Sequence, residues 1–146
     1  MGTDNARAAD ETTIRILLED HAAALRVKDA DGVLSHRTVG FVQFSLAPPL
    51  RSAADKNGLQ SWFATWQGPL GYEIRETRIV IGDDVAFGYG FVRLSGTKTD
   101  GTWNDLWFRQ TIGFRRIAGA SRIVHEHDSV PFYMDGSLRA AVDLKP

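Results

Sequence analysis

The densest run of groups able to move a proton or hold an ion is His125-Glu126-His127-Asp128, where two imidazoles alternate with two carboxylates. On a β-strand, side chains at i and i+2 share a face about 6.5 Å apart, so either the two histidines or the two acids can act together. The alternation alone does not choose which pair faces inward. Two carboxylates taken out of water together acquire raised pKa values and suit general base work near neutral pH, and an arginine beside them pulls those values back down. His125 and His127 as metal ligands need a third donor, which only His21, His36 or a carboxylate supplies, so no metal site is expected. Arg93 and Arg109 are suited to clamping a ligand carboxylate or to neutralising the acids. Trp62 and Trp66, one helical turn apart, read as core packing or as an aromatic wall for a flat ligand. No cysteine occurs, no Gly-x-Ser-x-Gly elbow and no glycine-rich nucleotide loop.

These residues need a scaffold, and 146 residues make one domain, spanning 1–146 with a core at about 10–132 and a tail at 133–146. A hydrophobic fraction of 43% with 24% charged residues excludes disordered and collagen-like classes. Seventeen bases against eighteen acids give no electrostatic case for nucleic acid, and no apolar run approaches a membrane span or a signal core. The absence of cysteine fits a reducing compartment, and the expectation is cytoplasmic.

Residues 1–9 read as a loose start. Asp10 or Thr12 then caps a helix to about Lys28, whose stripe Ile14, Leu17, Leu18, Ala22, Leu25 also carries His21. A short second helix to about His36 follows, then a strand from Val39 to Leu46 that Pro48-Pro49 stops. Leu59, Trp62, Phe63 and Trp66 are spaced as a helix closed by Gly68-Pro69. Extended runs at 72–81, 85–95, 102–116 and 122–130 are joined by tight turns, which predicts an antiparallel sheet covered on one face by the leading helices. In the 85–95 run the large residues Phe87, Tyr89, Phe91 and Arg93 alternate with Gly88 and Gly90, and the 102–116 run carries apolar bulk on both faces. Such a sheet calls for a second subunit, and a homodimer is expected.

Several stretches taken in order resemble the SnoaL-like branch of the nuclear transport factor 2 superfamily: Leu25-Arg-Val-Lys-Asp-Ala-Asp-Gly-Val-Leu34, Leu46-Ala-Pro-Pro-Leu50, Trp62-Phe-Ala-Thr-Trp66, Gly90-Phe-Val-Arg-Leu-Ser-Gly96, Trp107-Phe-Arg-Gln-Thr111 and Ile123-Val-His-Glu-His-Asp-Ser-Val-Pro131. The resemblance implies a cone-shaped α+β fold in which N-terminal helices pack on a curved, mainly antiparallel sheet enclosing a pocket. It does not imply the ketosteroid isomerase mechanism. The oxyanion tyrosine of those enzymes corresponds to His21, their proton-shuttling aspartate to Gln43-Phe44-Ser45, and no acid lies between Asp31 and Asp55 or in Arg109 to Ile112. The last three strands also resemble the association domain of calcium/calmodulin-dependent kinase II, whose pocket arginines correspond to Arg93, Thr111 and Asp128. That correspondence implies that Glu126 and Asp128 face the pocket, and by the same parity Tyr89, Phe91, Arg93, Trp107 and Arg109 as well.

The resulting expectation is a cofactor-independent isomerase, cyclase or dehydratase acting on a small hydrophobic or aromatic molecule. Glu126 with Asp128 serves as base, His21 as acid or oxyanion donor and Arg109 as electrostatic partner. Trp62, Tyr89, Phe91, Arg93, Trp107, His125 and His127 are the expected ligand contacts. The alternative is a binding module or dimerising hub without turnover.

Overall fold

A computed structural model describes residues 2–146. Three helices, α1 (Gly2–Arg26), α2 (Ala30–Ser35) and α3 (Lys56–Phe63), accompany five strands: β1 (Arg37–Phe44), β2 (Trp66–Ile81), β3 (Val85–Lys98), β4 (Trp103–Ile117) and β5 (Ala120–Ser129). The strands form one sheet in the order β1-β5-β4-β3-β2, antiparallel except where β1 runs parallel to β5. This is the α+β architecture of helices followed by a curved, mainly antiparallel sheet.

Helix α1 is longer than its sequence pattern suggests. The loose start expected for residues 1–9 is helical from Gly2, because Ala and Arg are good helix formers and no proline interrupts them; Met1 lies outside the described residues. Asp10 and Thr12 therefore sit within the helix and cap nothing: Thr12 Oγ1 donates to the Ala8 carbonyl at 3.1 Å, and Asp10 pairs with Arg116 of β4 at 2.5 Å. Asp29 is the cap of α2 and Asp55 that of α3, each carboxylate accepting from a backbone N–H three residues on. Trp66 opens β2 instead of closing α3, and the strand passes through Gly68-Pro69, where a helix stop was expected. Pro69 is tolerated because β2 is an edge strand and its pairing with β3 is interrupted between Gln67 and Gly71, so its missing N–H breaks no ladder bond.

Two irregularities bend the sheet. In β2 the register slips between Arg75 and Arg78, with Glu76 at φ 58°, and the chain folds over the flat place left by Gly90. A Cβ at Gly90 would lie 3.0 Å from both the Arg75 carbonyl oxygen and Thr77 Cα. In β5 the register slips beside Gly113 and Phe114, so that Ile123 pairs with Phe114 but His125 pairs with Gly113. Val124 is the extra residue, and it separates the inward Ile123 from the outward His125.

The inner face packs on α1 as two apolar clusters. One gathers Ala22, Leu25, Val33, Phe63, Trp66, Val92 and Phe108 toward the α2 and α3 end; the other gathers Ile14, Leu17, Leu18, Phe41, Ile112, Phe114 and Ile123 toward the far end. The two elements with fully buried members in both clusters, α1 and β4, each carry a buried polar residue between them: His21 on α1 and Gln110 on β4. Because backbone atoms surround the missing Cβ of Gly90 and cannot yield, Gly90→Val should lower stability by about 1–3 kcal/mol, measured as a reduced urea midpoint at unchanged slope.

Candidate functional site

The layer between the two clusters is a buried polar centre. His21, Glu126 and Asp128 are 2%, 3% and 8% exposed, so Asp128 is the member nearest solvent and His21 and Glu126 lie deeper. Strand pairing sets the whole group on one face: Glu126 stands beside Gln43 of β1 and Ile112 of β4, and Asp128 stands opposite Gln110. Gln43 ties the acids together, its one amide nitrogen donating to Glu126 Oε2 at 2.8 Å and to Asp128 Oδ2 at 3.1 Å. From the other side Gln110 Nε2 donates to Asp128 Oδ1 at 3.1 Å and to the Tyr72 hydroxyl at 3.0 Å. Arg37, buried and stacked over the Phe41 ring at 4.2 Å, brings Nη2 to 4.0 Å from Glu126 Oε1.

Two adjacent carboxylates in an apolar interior cannot both ionise. Burial, and then the charge of Glu126, push the Asp128 carboxyl well above its ordinary range. Burial pushes Glu126 up too, but the hydrogen bond from Asp128, the nearby Arg37 and His21, and the Gln43 amide together outweigh it and hold Glu126 low. The pair therefore carries one proton, resident on Asp128 and shared toward Glu126. His21 falls to about 4, first through burial and then through Arg37. Its ring is neutral at pH 7, which removes imidazolium as the proton donor and leaves a hydrogen-bonding imidazole. Burial also raises Tyr72, so it stays a neutral phenol.

The inward direction of Glu126 and Asp128 agrees with the sequence expectation; that of the aromatic face does not. Tyr89, Phe91, Arg93, Trp107 and Arg109 lie on the opposite, outer face of the sheet. Their register partners show it: Tyr89 pairs with Thr111 and Thr111 with His127, whereas Glu126 pairs with Ile112 and Ile112 with Gly88. The small-residue face of β3 is the inner one, because α1 and the folded-over β2 need the space. Arg109 is thus no partner of the acids; its Nε donates to Ser129 Oγ at 3.1 Å, and Arg93 makes a two-bonded pair with Asp105 at 2.8 and 2.7 Å. Arg75 stacks on Trp107 at 4.5 Å. His125 and His127 also face outward around Phe44, with ring separations of 4.8 and 5.3 Å, and His125 Nδ1 donates to the Val42 carbonyl at 2.7 Å. Trp62 does lie on the acid side, half-buried against the core cluster that includes Tyr72.

Arg37, Tyr72 and Gln110 belong to the centre and were not singled out from the sequence; Gln43, also of the centre, was named only in the stretch that corresponds to the isomerases' aspartate. The signal was faint but present: Arg37 opens β1, Gln43 stands one residue before its end, and Gln110 interrupts the apolar alternation Phe108, Ile112, Phe114. A surface groove of about 590 Å³ lies away from these acids, formed by the 44–51 loop and His127. Among the described residues no group of three metal-ligating side chains converges, and no helix is long and apolar enough to cross a membrane.

Comparison with known proteins matches the SnoaL-like domain family over residues 14–133. A solved NTF2-like protein of unknown function from Pseudomonas putida KT2440 shares 27% identity at a TM-score of 0.84, covering 95% of this chain and 98% of that one. A nuclear transport factor 2-like superfamily protein from Salmonella enterica serovar Typhimurium LT2 shares 14% identity at 0.74, covering 91% and 97%. The association domain of C. elegans CaMKII shares 14% identity at 0.67, covering 86% and 98%. No curated protein matches.

The depressed histidine leaves a measurable trace. A group whose folded pKa is lowered stabilises the fold above its unfolded value and loses that contribution as pH falls, here from 6.5 toward about 4. Over that window His21 should withdraw about 3 kcal/mol. The shared acid proton, raised on Asp128, acts in the opposite sense above 3.8, so the histidine is isolated by difference. Urea midpoints of the wild type minus those of His21→Phe should fall between pH 6.5 and 4; a flat difference would place His21 in contact with water.

Proposed function

The chain belongs to the SnoaL-like domain family, within the NTF2-like superfamily, and from that premise we propose that it is a cofactor-independent acid/base catalyst acting on a small hydrophobic molecule, by isomerisation, cyclisation or dehydration. The observation that carries the reading is the buried Glu126–Asp128 pair tied by Gln43, in which burial and the charge of Glu126 push Asp128 up while its neighbours hold Glu126 low. Such a pair holds a donor and an acceptor side by side: Asp128 gives a proton to one atom of the substrate while Glu126 takes one from another, and the proton count of the pair is restored. Arg37 takes the electrostatic role that Arg109 was expected to fill, holding Glu126 anionic and steadying negative charge as it develops on a substrate oxygen. His21 supplies a neutral hydrogen bond. A substrate reaches the pair from the Asp128 side, the more exposed of the two acids. No electron enters or leaves the substrate in such a step, so the chemistry needs no redox cofactor, and a cysteine-free chain suits a reducing compartment such as the cytoplasm.

The test uses small cyclic β-hydroxy ketones in D2O, followed by NMR for deuterium uptake and for loss of water. Glu126→Gln and Asp128→Asn should each slow turnover 10²–10⁴-fold while changing binding less than about tenfold. Equal rates in the wild type and both variants would remove the acid pair from the chemistry.

A second reading, a dimerising module, rests on the outer face. Phe87 and Tyr89 are 45% and 49% exposed and stacked at 6.2 Å, and the register row from Tyr89 leads through Thr111 and His127 to Phe44. A monomer gains nothing from that surface, and we propose that a second copy covers it; the fold is shared with an association domain. Light scattering should give about twice 16.2 kDa, and the double variant Phe87→Glu, Tyr89→Arg should run as a monomer. A dimer that survives both changes uses another surface.

A further inference from the structure

Four side-chain atoms in the polar layer are buried without a partner: His21 Nε2, Arg37 Nε, Arg37 Nη1 and Glu126 Oε1. Leaving one buried polar group unmatched costs about 1–3 kcal/mol, and more when it is charged. Several such atoms on neighbouring residues, in a layer whose other members are tightly bonded, point to a ligand they jointly hold. Their chemistry says what that ligand is. Arg37 only donates, and Glu126 Oε1, on the carboxylate that holds no proton of its own, only accepts. Arg37 approaches the unpartnered Glu126 Oε1 through Nη2, which is not one of its own two unpartnered nitrogens, and the 4.0 Å between them is too long for a direct hydrogen bond. A single oxygen about 2.8 Å from each would subtend roughly 90° between them, which a hydroxyl's donor and acceptor directions accommodate. A carbonyl oxygen could accept from Arg37 but would meet Glu126 lone pair to lone pair. A carboxylate would do the same with a full charge, and an ammonium has no acceptor for Arg37.

We propose that Arg37, Glu126 and His21 form a binding site for one hydroxyl oxygen, that of a water or of a substrate alcohol. The inference rests on the acid/base reading and narrows it, since a site for hydroxyl oxygen beside a proton-sharing acid pair is the equipment of dehydration or its reverse. The atoms balance. Asp128 passes its proton to the substrate hydroxyl as the C–O bond breaks, and Glu126 takes the proton from the neighbouring carbon as the C=C bond forms. Water leaves, and the pair again holds one proton. Isomerisation has no use for the site. Water differs from an alcohol in one respect: it has a second hydrogen, of the kind that the unpartnered Nε2 of a neutral His21 accepts, and an alcohol has none left to offer.

The test is a set of high-resolution crystal structures of the wild-type protein, untreated, soaked in cyclohexanol and soaked in cyclohexanone. The untreated crystal should show one ordered water within about 3.2 Å of an Arg37 nitrogen and Glu126 Oε1. Replacement of that water by the cyclohexanol oxygen identifies a substrate alcohol as the ligand; a water that persists in the soak identifies water as the co-reactant. Either result supports the site. It is overturned by a dry layer in which Arg37 and Glu126 touch directly, or by the cyclohexanone oxygen taking the position as readily as the alcohol. A separate measurement keeps the two readings apart: an infrared carbonyl band from a neutral carboxylic acid at pH 7, lost in Asp128→Asn, reports the shared proton. With that band present and the layer dry, the hydroxyl site fails alone; with the band missing, the acid/base reading fails.

Discussion

Glu126 and Asp128 stand two residues apart on one strand and point into the core, and much of the surrounding structure answers that single arrangement. Two carboxylates so close in a low-dielectric interior cannot both carry charge, and even one carboxylate there needs donors and a nearby cation. The amides of Gln43 and Gln110 supply the donors, Arg37 supplies the cation, and the retained proton on Asp128 removes the second charge. The same cluster explains the neutral state of His21: an imidazole in this layer meets Arg37 and almost no water, and burial outweighs the attraction of Glu126.

The layer survives because apolar packing brackets it. Ile14, Phe114 and Ile123 close one side, and Val33, Val92 and Phe63 close the other, so the polar groups are held in place by contacts that are themselves indifferent to charge. Replacing such a layer with hydrocarbon is often neutral or stabilising for a protein. Retaining seven polar side chains where alkyl groups would serve the fold is therefore the pattern expected when selection acts on chemistry and not on stability alone.

Sheet curvature links this centre to the outer surface. The bulge at Glu76 folds β2 over Gly90, and the slip at Val124 turns β5 so that its acids face in and its histidines face out. One consequence is a division of labour across the sheet: proton-sharing groups inside, and outside a belt of Phe44, Phe87, Tyr89 and Trp107 interleaved with Arg75, Arg93 and Arg109. The arginines on that belt are engaged with Asp105, Ser129 and the Trp107 ring, so they serve surface pairing and not the interior.

Local sequence determined a good deal here. Helical spacing, turn residues and strand alternation specify helices followed by a mainly antiparallel sheet. The i, i+2 spacing of Glu126 and Asp128 makes them face neighbours, and the ordered stretches from Leu25 to Pro131 carry the family resemblance. The tertiary structure decided what counting by twos cannot. A one-residue bulge inverts every side chain beyond it, so Ile123 and His125 part company although they are two apart. Register across strands is set by packing against α1 and not by any one strand's own pattern, which is why the glycine face of β3, and not its aromatic face, turned inward. Arg37, Gln43, Tyr72 and Gln110 come from three separate strands spread over more than seventy residues, and they meet at the acids only because non-local pairing joins those strands in one sheet.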